Sequence, residues 1–208
     1  MKILMINGSP HKNGCTAAGL QEMEGVFRAA GLEVETLCIG TEAVHGCIGC
    51  HSCDQTGRCV FNDIVNVAIE KSYEADGFVF ASPVHYASLS GSMTSFMDRF
   101  LYTGSEKLAN KPAACFVSAR RAGTTAALDQ LLKYPCYAEM PVVTSHYWPM
   151  VHGFTAEDVR RDREGTQILR QMARNMVWLL KSIEAGKAAG VPLPEHEERV
   201  FTHFHTDV

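Results

Sequence analysis

The chain has 208 residues, 46% of them hydrophobic, which is enough for one sizeable core and most simply a single domain. Its 19 Lys and Arg stand against 23 Asp and Glu, a formal charge of -4, so there is no basic footprint for nucleic acid or an anionic membrane surface. No run approaches the roughly 18 consecutive apolar residues of a membrane helix, and the first apolar run stops at Asn7, too short for a signal peptide, so a cytoplasmic protein is expected.

In chain order, Ile3 to Ile6 reads as a strand that ends abruptly in Asn7-Gly8-Ser9-Pro10, followed by His11-Lys12-Asn13-Gly14-Cys15-Thr16. Leu20, Met23, Phe27 and Ala30 then fall at helical spacing, with Gly31 as a stop, which predicts a helix over about 16–30. A Gly- and Ser-rich loop between strand and helix turns backbone N–H groups and a positive dipole end toward an anion, so the first loop is a phosphate-site candidate. Glu33 to Ile39 alternates as a second strand, and Gly40 to Asn62 has no periodicity and is expected to be a long loop. Asp63 can cap a helix carrying Ile64, Val67 and Ala68.

Gly77 to Ala81 is a continuous apolar strand of the kind buried on both faces of a parallel sheet, and Ser82-Pro83 is expected to end it. Leu89, Met93, Phe96, Met97, Phe100 and Leu101 trace a helical core stripe. Ala113 to Ser118 is a fourth strand, 119–123 a basic loop, Ala127 to Leu132 a helix, and Pro141 to Ser145 a fifth strand. Thr155-x-x-Asp158 has the form of a capping box, and Ile168 to Ile183 forms the last helix. The expected domain is 1–186, with 187–208 a tail that could pack on a neighbouring subunit.

Strands alternating with helices make an α/β doubly wound parallel sheet, here of five strands with helices on both faces. Ligands sit at the carboxyl ends of such strands, where the loops after strands one, three and four all fall. Those loops should surround one ligand.

Together they resemble the NADPH-dependent FMN reductase branch of the flavodoxin-like superfamily. The resemblance rests on Gly8-Ser9-Pro10-x-x-Asn13-Gly14-x-Thr16 and on Ala81-Ser82-Pro83-Val84-His85-Tyr86 through Ser90-Gly91-x-Met93 to Phe96-x-Asp98-Arg99, and it covers about residues 1 to 145. The third loop departs from the pattern, with Arg120 and Arg121 where relatives commonly carry a Gly-rich, sometimes acidic stretch. The resemblance implies strand order 2-1-3-4-5 and an FMN whose phosphate lies against Ser9, His11, Asn13, Cys15 and Thr16. Its ring would lie against Pro83, Val84, His85, Tyr86, Ser88 and the loop holding Ser118, Arg120 and Gly123. NAD(P)H would be a transient electron donor, and relatives assemble as dimers or tetramers, which implies a homodimer or homotetramer. No catalytic side chain is required, because the flavin carries the electron chemistry; His85 and Tyr86 are the candidates beside it.

Four of the eight cysteines form Cys47-x2-Cys50-x2-Cys53-x5-Cys59 in the long loop. In a chain without an export signal, reduced thiols or a metal site are expected rather than disulfides. Iron–sulfur flavoproteins of the same fold carry a compact motif of this kind after the second strand, which implies a [4Fe–4S] cluster. Free thiols and a zinc site stay open beside it. His203-x-His205 reads as a polar tail. Two functions follow: an NAD(P)H-dependent FMN reductase serving a small-molecule acceptor, or an electron carrier or redox sensor that meets a redox protein without turning over nicotinamide.

Overall fold

Alternate residues of the central strands feed two separate cores. In the computed structural model, which describes residues 1–198, 200 and 202, β1 (Lys2–Asn7) is hydrogen-bonded in parallel between β2 (Glu33–Cys38) and β3 (Gly77–His85). Leu4 and Ile6 of β1, with Phe78 and Phe80 of β3, pack against α3 (Ile64–Ser72), α4 (Gly91–Leu108) and α5 (Thr124–Tyr137). Ile3 and Met5, with Val79, pack on the other face against α1 (Cys15–Ala29) and α7 (Arg163–Ala188). The period of two in a strand buried on both sides requires this division.

Among the described residues the sheet has six strands, in the order β2-β1-β3-β5-β6 with β4 paired to β3; five strands in the order 2-1-3-4-5 were expected. β4 (Ser88–Leu89) is a two-residue strand that turns back antiparallel on Val84 and His85. Pro83 does not end β3, which continues to His85 and keeps its parallel register with β5 (Ala113–Ala119), Pro83 opposite Ser118. The fifth expected strand is displaced. Around Pro141 to Ser145 only one parallel bridge forms, Ala113 with Val142, and the edge strand β6 is Met150–His152. Pro141 lacks an N–H and can only accept, taking the amide of Ala113 at 2.9 Å. The chain rejoins the edge eight residues on, where Pro149 accepts from Val117 at 3.3 Å.

A short helix, α2 (Ser52–Thr56), interrupts the expected long loop. The capping box forms at α6 (Ala156–Arg161): the Thr155 hydroxyl accepts from the Asp158 amide at 3.2 Å, and the Asp158 carboxylate accepts from the Thr155 amide at 2.9 Å. Asp replaces Glu without loss of either bond. The expected domain limit at 186 falls inside α7, which runs on to Ala188. Phe201, His203, Phe204 and His205 lie outside the described residues. No helix among the described residues is long and apolar enough to cross a membrane.

Phe100 of α4 anchors the larger core. It is fully buried and stacks on Phe96 (5.4 Å between centroids), with Phe78 and Phe80 at 6.4 and 6.2 Å. Phe100→Ala should lower unfolding stability by about 3–5 kcal/mol, since a cavity among three rings cannot collapse. Urea unfolding showing a loss below about 1 kcal/mol would mean that these rings repack freely.

Candidate cofactor cleft and cysteine loop

The carboxyl end of β1 is shaped by a chain of short local bonds. The Asn7 carboxamide accepts from the Ser9 amide at 3.0 Å, and the Ser9 hydroxyl from the His11 amide at 3.1 Å. The His11 carbonyl in turn accepts from the Gly14 amide at 3.2 Å. These Asx- and Ser-type turns curl residues 7–14 into a compact loop. It delivers the chain to α1 with Gly14 as N-cap and no side chain capping it, so the first-turn N–H groups face the cleft.

Gly8 fixes this loop to its neighbours. Its amide donates to Ala81 O at 2.8 Å, and its carbonyl accepts from the Ser90 hydroxyl at 2.8 Å. A Cβ there would lie 2.7 Å from Met93 Sδ and 2.9 Å from Ala81 O. Only glycine permits this approach. Ser90 meanwhile caps α4 by accepting from the Met93 amide at 3.2 Å, so one hydroxyl serves a helix start and the first loop together.

A cleft of about 450 Å³ opens above these ends, within the range of small-molecule sites. Of the residues expected at the cofactor, Ser9, His11, Asn13, Cys15, Thr16, Pro83, Val84, Ser118 and Arg120 line it. Thr16 and Ser118 hydroxyls are hydrogen-bonded at 2.8 Å and buried, which ties α1 to β5 beneath the cleft.

His85, Tyr86, Ser88 and Gly123 do not line it. Tyr86 is fully exposed, and both it and Ala87 have left-handed backbones (φ 50° and 58°), the tight turn between β3 and β4. The Ser88 hydroxyl donates instead to Gln130 Oε1 at 2.6 Å, which also accepts from the Leu89 amide at 3.1 Å. Gly123 has φ 92°, and a Cβ there would sit 2.8 Å from Ala87 Cα, so its place is to let the loop after β5 touch the β3–β4 turn. This hairpin rims the cleft from outside.

Gly153, Phe154, Thr155 and Ala156 form a fourth wall that the sequence reading missed. The Cys15 thiol donates to Gly153 O at 3.4 Å. The signal was present: the capping box at Thr155 marks a helix start, and so places residues 153–155 at the carboxyl end of a preceding strand.

The cysteine loop lies elsewhere. Cys47, Cys50, Cys53 and Cys59 line one small cavity of about 20 Å³ beside α4, with Phe61, Arg99, Tyr102 and Thr103. Among the described residues no group of three or more His, Cys, Asp or Glu side chains is gathered as a metal site, and all eight cysteines are free thiols. Four thiols around one cavity nonetheless match a four-thiolate donor set in number and kind. Burial pushes the Cys53 thiol up. Arg99 is 1% exposed and bonds to Asp63, to Cys59 and to main-chain carbonyls of the loop. Burial opposes its charge, but the hydrogen bonds it donates to Asp63 and Cys59 outweigh that and raise its pKa.

An α/β sheet of this topology, with an uncapped helix start opening on a cleft at the strand ends, defines a flavodoxin-like domain. The family model described as NADPH-dependent FMN reductase matches residues 1–155, and the chain belongs to that family of flavin-dependent oxidoreductases. It is 28% identical over 193 residues to an iron-sulfur flavoprotein of Methanocaldococcus jannaschii, covering 88% of this chain and all of that one. An iron-sulfur flavoprotein of Methanosarcina thermophila is 26% identical over 90% of this chain and 99% of its own. Among solved structures, RosB with bound 8-demethyl-8-formylriboflavin-5'-phosphate superposes with a TM-score of 0.66 at 14% identity, covering the whole of this chain and 93% of that one. A flavodoxin from the domain Archaea does so at 0.59 and 14%, covering 87% and 99%. At those identities the structures bear on the fold alone.

The cleft thiol should be sluggish. Burial pushes Cys15 above the ordinary thiol range, and Cys115 is pushed up much further in the core. In metal-free protein near neutral pH, iodoacetamide should modify the exposed Cys47, Cys50 and Cys136 first, Cys15 later, and Cys115 only on unfolding. Raising the pH through and beyond the usual thiol range should keep accelerating Cys15. Peptide mass mapping that finds Cys15 among the first residues modified would contradict this order.

Proposed function

We propose that the chain is an FMN-dependent oxidoreductase that takes electrons from NAD(P)H and delivers them to a small-molecule acceptor or a redox protein. The observation that carries this reading is the single cleft shared by the loops after β1, β5 and β6 and the end of β3, with an uncapped helix start opening on it. Ser9, Asn13, Thr16 and the first amides of α1 would hold the phosphate without a metal. His11 and Arg120 would supply countercharge, Arg through a fork suited to phosphate oxygens. Pro83 and Val84 would provide the apolar wall for the ring, with His85 and Tyr86 at the outer turn. FMN, when bound, accepts a hydride as an electron pair and releases electrons singly. The protein's part is to place it and to shut water from one side.

The cysteine loop extends the reading. Cys47, Cys50, Cys53 and Cys59 would hold a [4Fe–4S] cluster, a single-electron route beside the flavin, and the relatives named iron-sulfur flavoproteins support it. If the protein acts as an electron carrier or redox sensor, that route leads to a protein partner and nicotinamide turnover is absent. A cytoplasmic site of action and a homo-oligomer are part of the proposal.

Mixing FMN-loaded protein with NADPH, and separately with NADH, under argon distinguishes the two roles: bleaching of the flavin band within seconds supports the reductase, and an unbleached flavin leaves the carrier. Thr16→Val should weaken FMN binding by about tenfold, because the Ser118 hydroxyl loses its buried partner at the cleft floor. Unchanged flavin affinity in a fluorescence titration would remove the hydroxyl pair from the site. Cys50→Ser should abolish iron and acid-labile sulfide while leaving FMN bound; loss of both together would show that the two sites are not separate.

A further inference from the structure

No residue from 40 to 64 is fully buried; Val44 and Ile64 pack partly buried against the larger core at the two ends of the segment, and between them the cysteine loop is held largely by polar bonds. One side chain carries many of them. A guanidinium has five N–H groups, and Arg99 engages each. Nη1 and Nη2 fork onto the Asp63 carboxylate at 2.6 and 2.9 Å. The same two nitrogens reach His45 O and Phe61 O, both at 3.3 Å. Nε points at the Cys59 sulfur, 3.1 Å away. Because the carboxylate is taken end-on by both Nη atoms, Nε is left for sulfur. The Phe61 ring covers the guanidinium at 5.0 Å and is itself stacked on His45 at 4.6 Å.

The bonded partners straddle the cysteines: His45 precedes Cys47, and Phe61 and Asp63 follow Cys59. Arg99 therefore closes the loop at both ends onto α4. Cys59 is fixed a second time through its main chain, whose amide donates to Asn66 Oδ1 at 2.9 Å and whose carbonyl accepts from Asn66 Nδ2 at 2.9 Å.

We propose that Arg99 is a positioning residue that closes the cysteine loop and presents the Cys59 sulfur to a bound cluster, raising the cluster's reduction potential. The second part rests on the cluster reading above. Reduction adds negative charge to the sulfur ligands, and an N–H donor from a cation favours the more negative state, so its loss shifts the potential downward. Asp63 has the opposite sign and compensates the same cation.

The test uses anaerobically purified protein with FMN and cluster, and redox titration of the cluster signal. Arg99→Gln should move the midpoint potential to more negative values. Asp63→Asn, which can still cap α3 and accept one bond, should move it to more positive values. Arg99→Lys keeps the charge without the fork and should hold the potential near that of the wild type. A purely structural role would not give shifts of opposite sign for the two partners. Equal potentials in Arg99→Gln and wild type, shifts in the same direction for Arg99→Gln and Asp63→Asn, or a clear downward shift in Arg99→Lys would overturn the electrostatic part.

Hydrogen exchange on the metal-free protein tests the closure independently. Amides over 45–63 should exchange faster in Arg99→Gln and Arg99→Lys, while the loop at 8–14 should not change. Unaltered exchange over 45–63 in both variants would overturn the closure. Wild-type protein without iron or sulfide would end the cluster reading, and with it the potential shift, and leave exchange to decide the closure.

Discussion

The backbone crossing at Gly8 is the contact on which the cofactor cleft depends. There the first loop donates an amide to β3, accepts a hydroxyl from the start of α4, and leaves no room for a Cβ against Met93 and Ala81. Parallel strands carry their own ladders, but the loops beyond their ends have no ladder to align them. At this crossing a hydrogen bond and a steric limit do that work together. With β1 and β3 pinned at Gly8, and α1 and β5 pinned by the Thr16–Ser118 hydroxyl pair, the first and third loops can differ in sequence and still face the same space.

Helix α4 joins this region to the second one. Its N-cap Ser90 supports the first loop, and Arg99 supports the cysteines. Nine residues separate the two, about 13 Å along a helix axis. The Phe96 and Phe100 side chains between and beyond them are fully buried in the larger core. One helix thus places the two regions relative to one another.

Much of the architecture could be read from periodicity, because strands buried on both faces leave long apolar runs and helices leave stripes. β1, α1, β2, the β3 start and the β5 strand all follow such patterns. The errors lie where backbone bonding decides. Pro83 reads as a terminator, but at the top of β3 its missing N–H removes little from a ladder that can continue through Val84 and His85. Pro141 to Ser145 reads as a strand, but a proline at its start and an early departure from the edge leave one bridge. Nine of the expected residues line one cleft, from the first loop, the start of α1, the ends of β3 and β5 and the loop after β5, and the composition of those junctions is itself the signal. Gly153 to Ala156 carry no such composition; the capping box at Thr155 marks a helix start there, but the displaced edge strand β6 is what brings them to the cleft. Arg99 was legible as part of a motif, yet its bonds span from residue 45 to residue 63, and no local pattern encodes so distant a set.

The exposure of residues 40–64 separates two kinds of inheritance in one chain. A segment that meets the core only through Val44 and Ile64 at its ends can be lengthened, shortened or stripped of its cysteines between them while the sheet keeps its packing, since most of the free energy of the fold is stored elsewhere. What must be retained for such an exchange is small: a cation on α4 and an acceptor at the head of α3. A single scaffold could then host descendants that differ in how they handle electrons, with the ancestral cleft intact and only the appended loop rewritten.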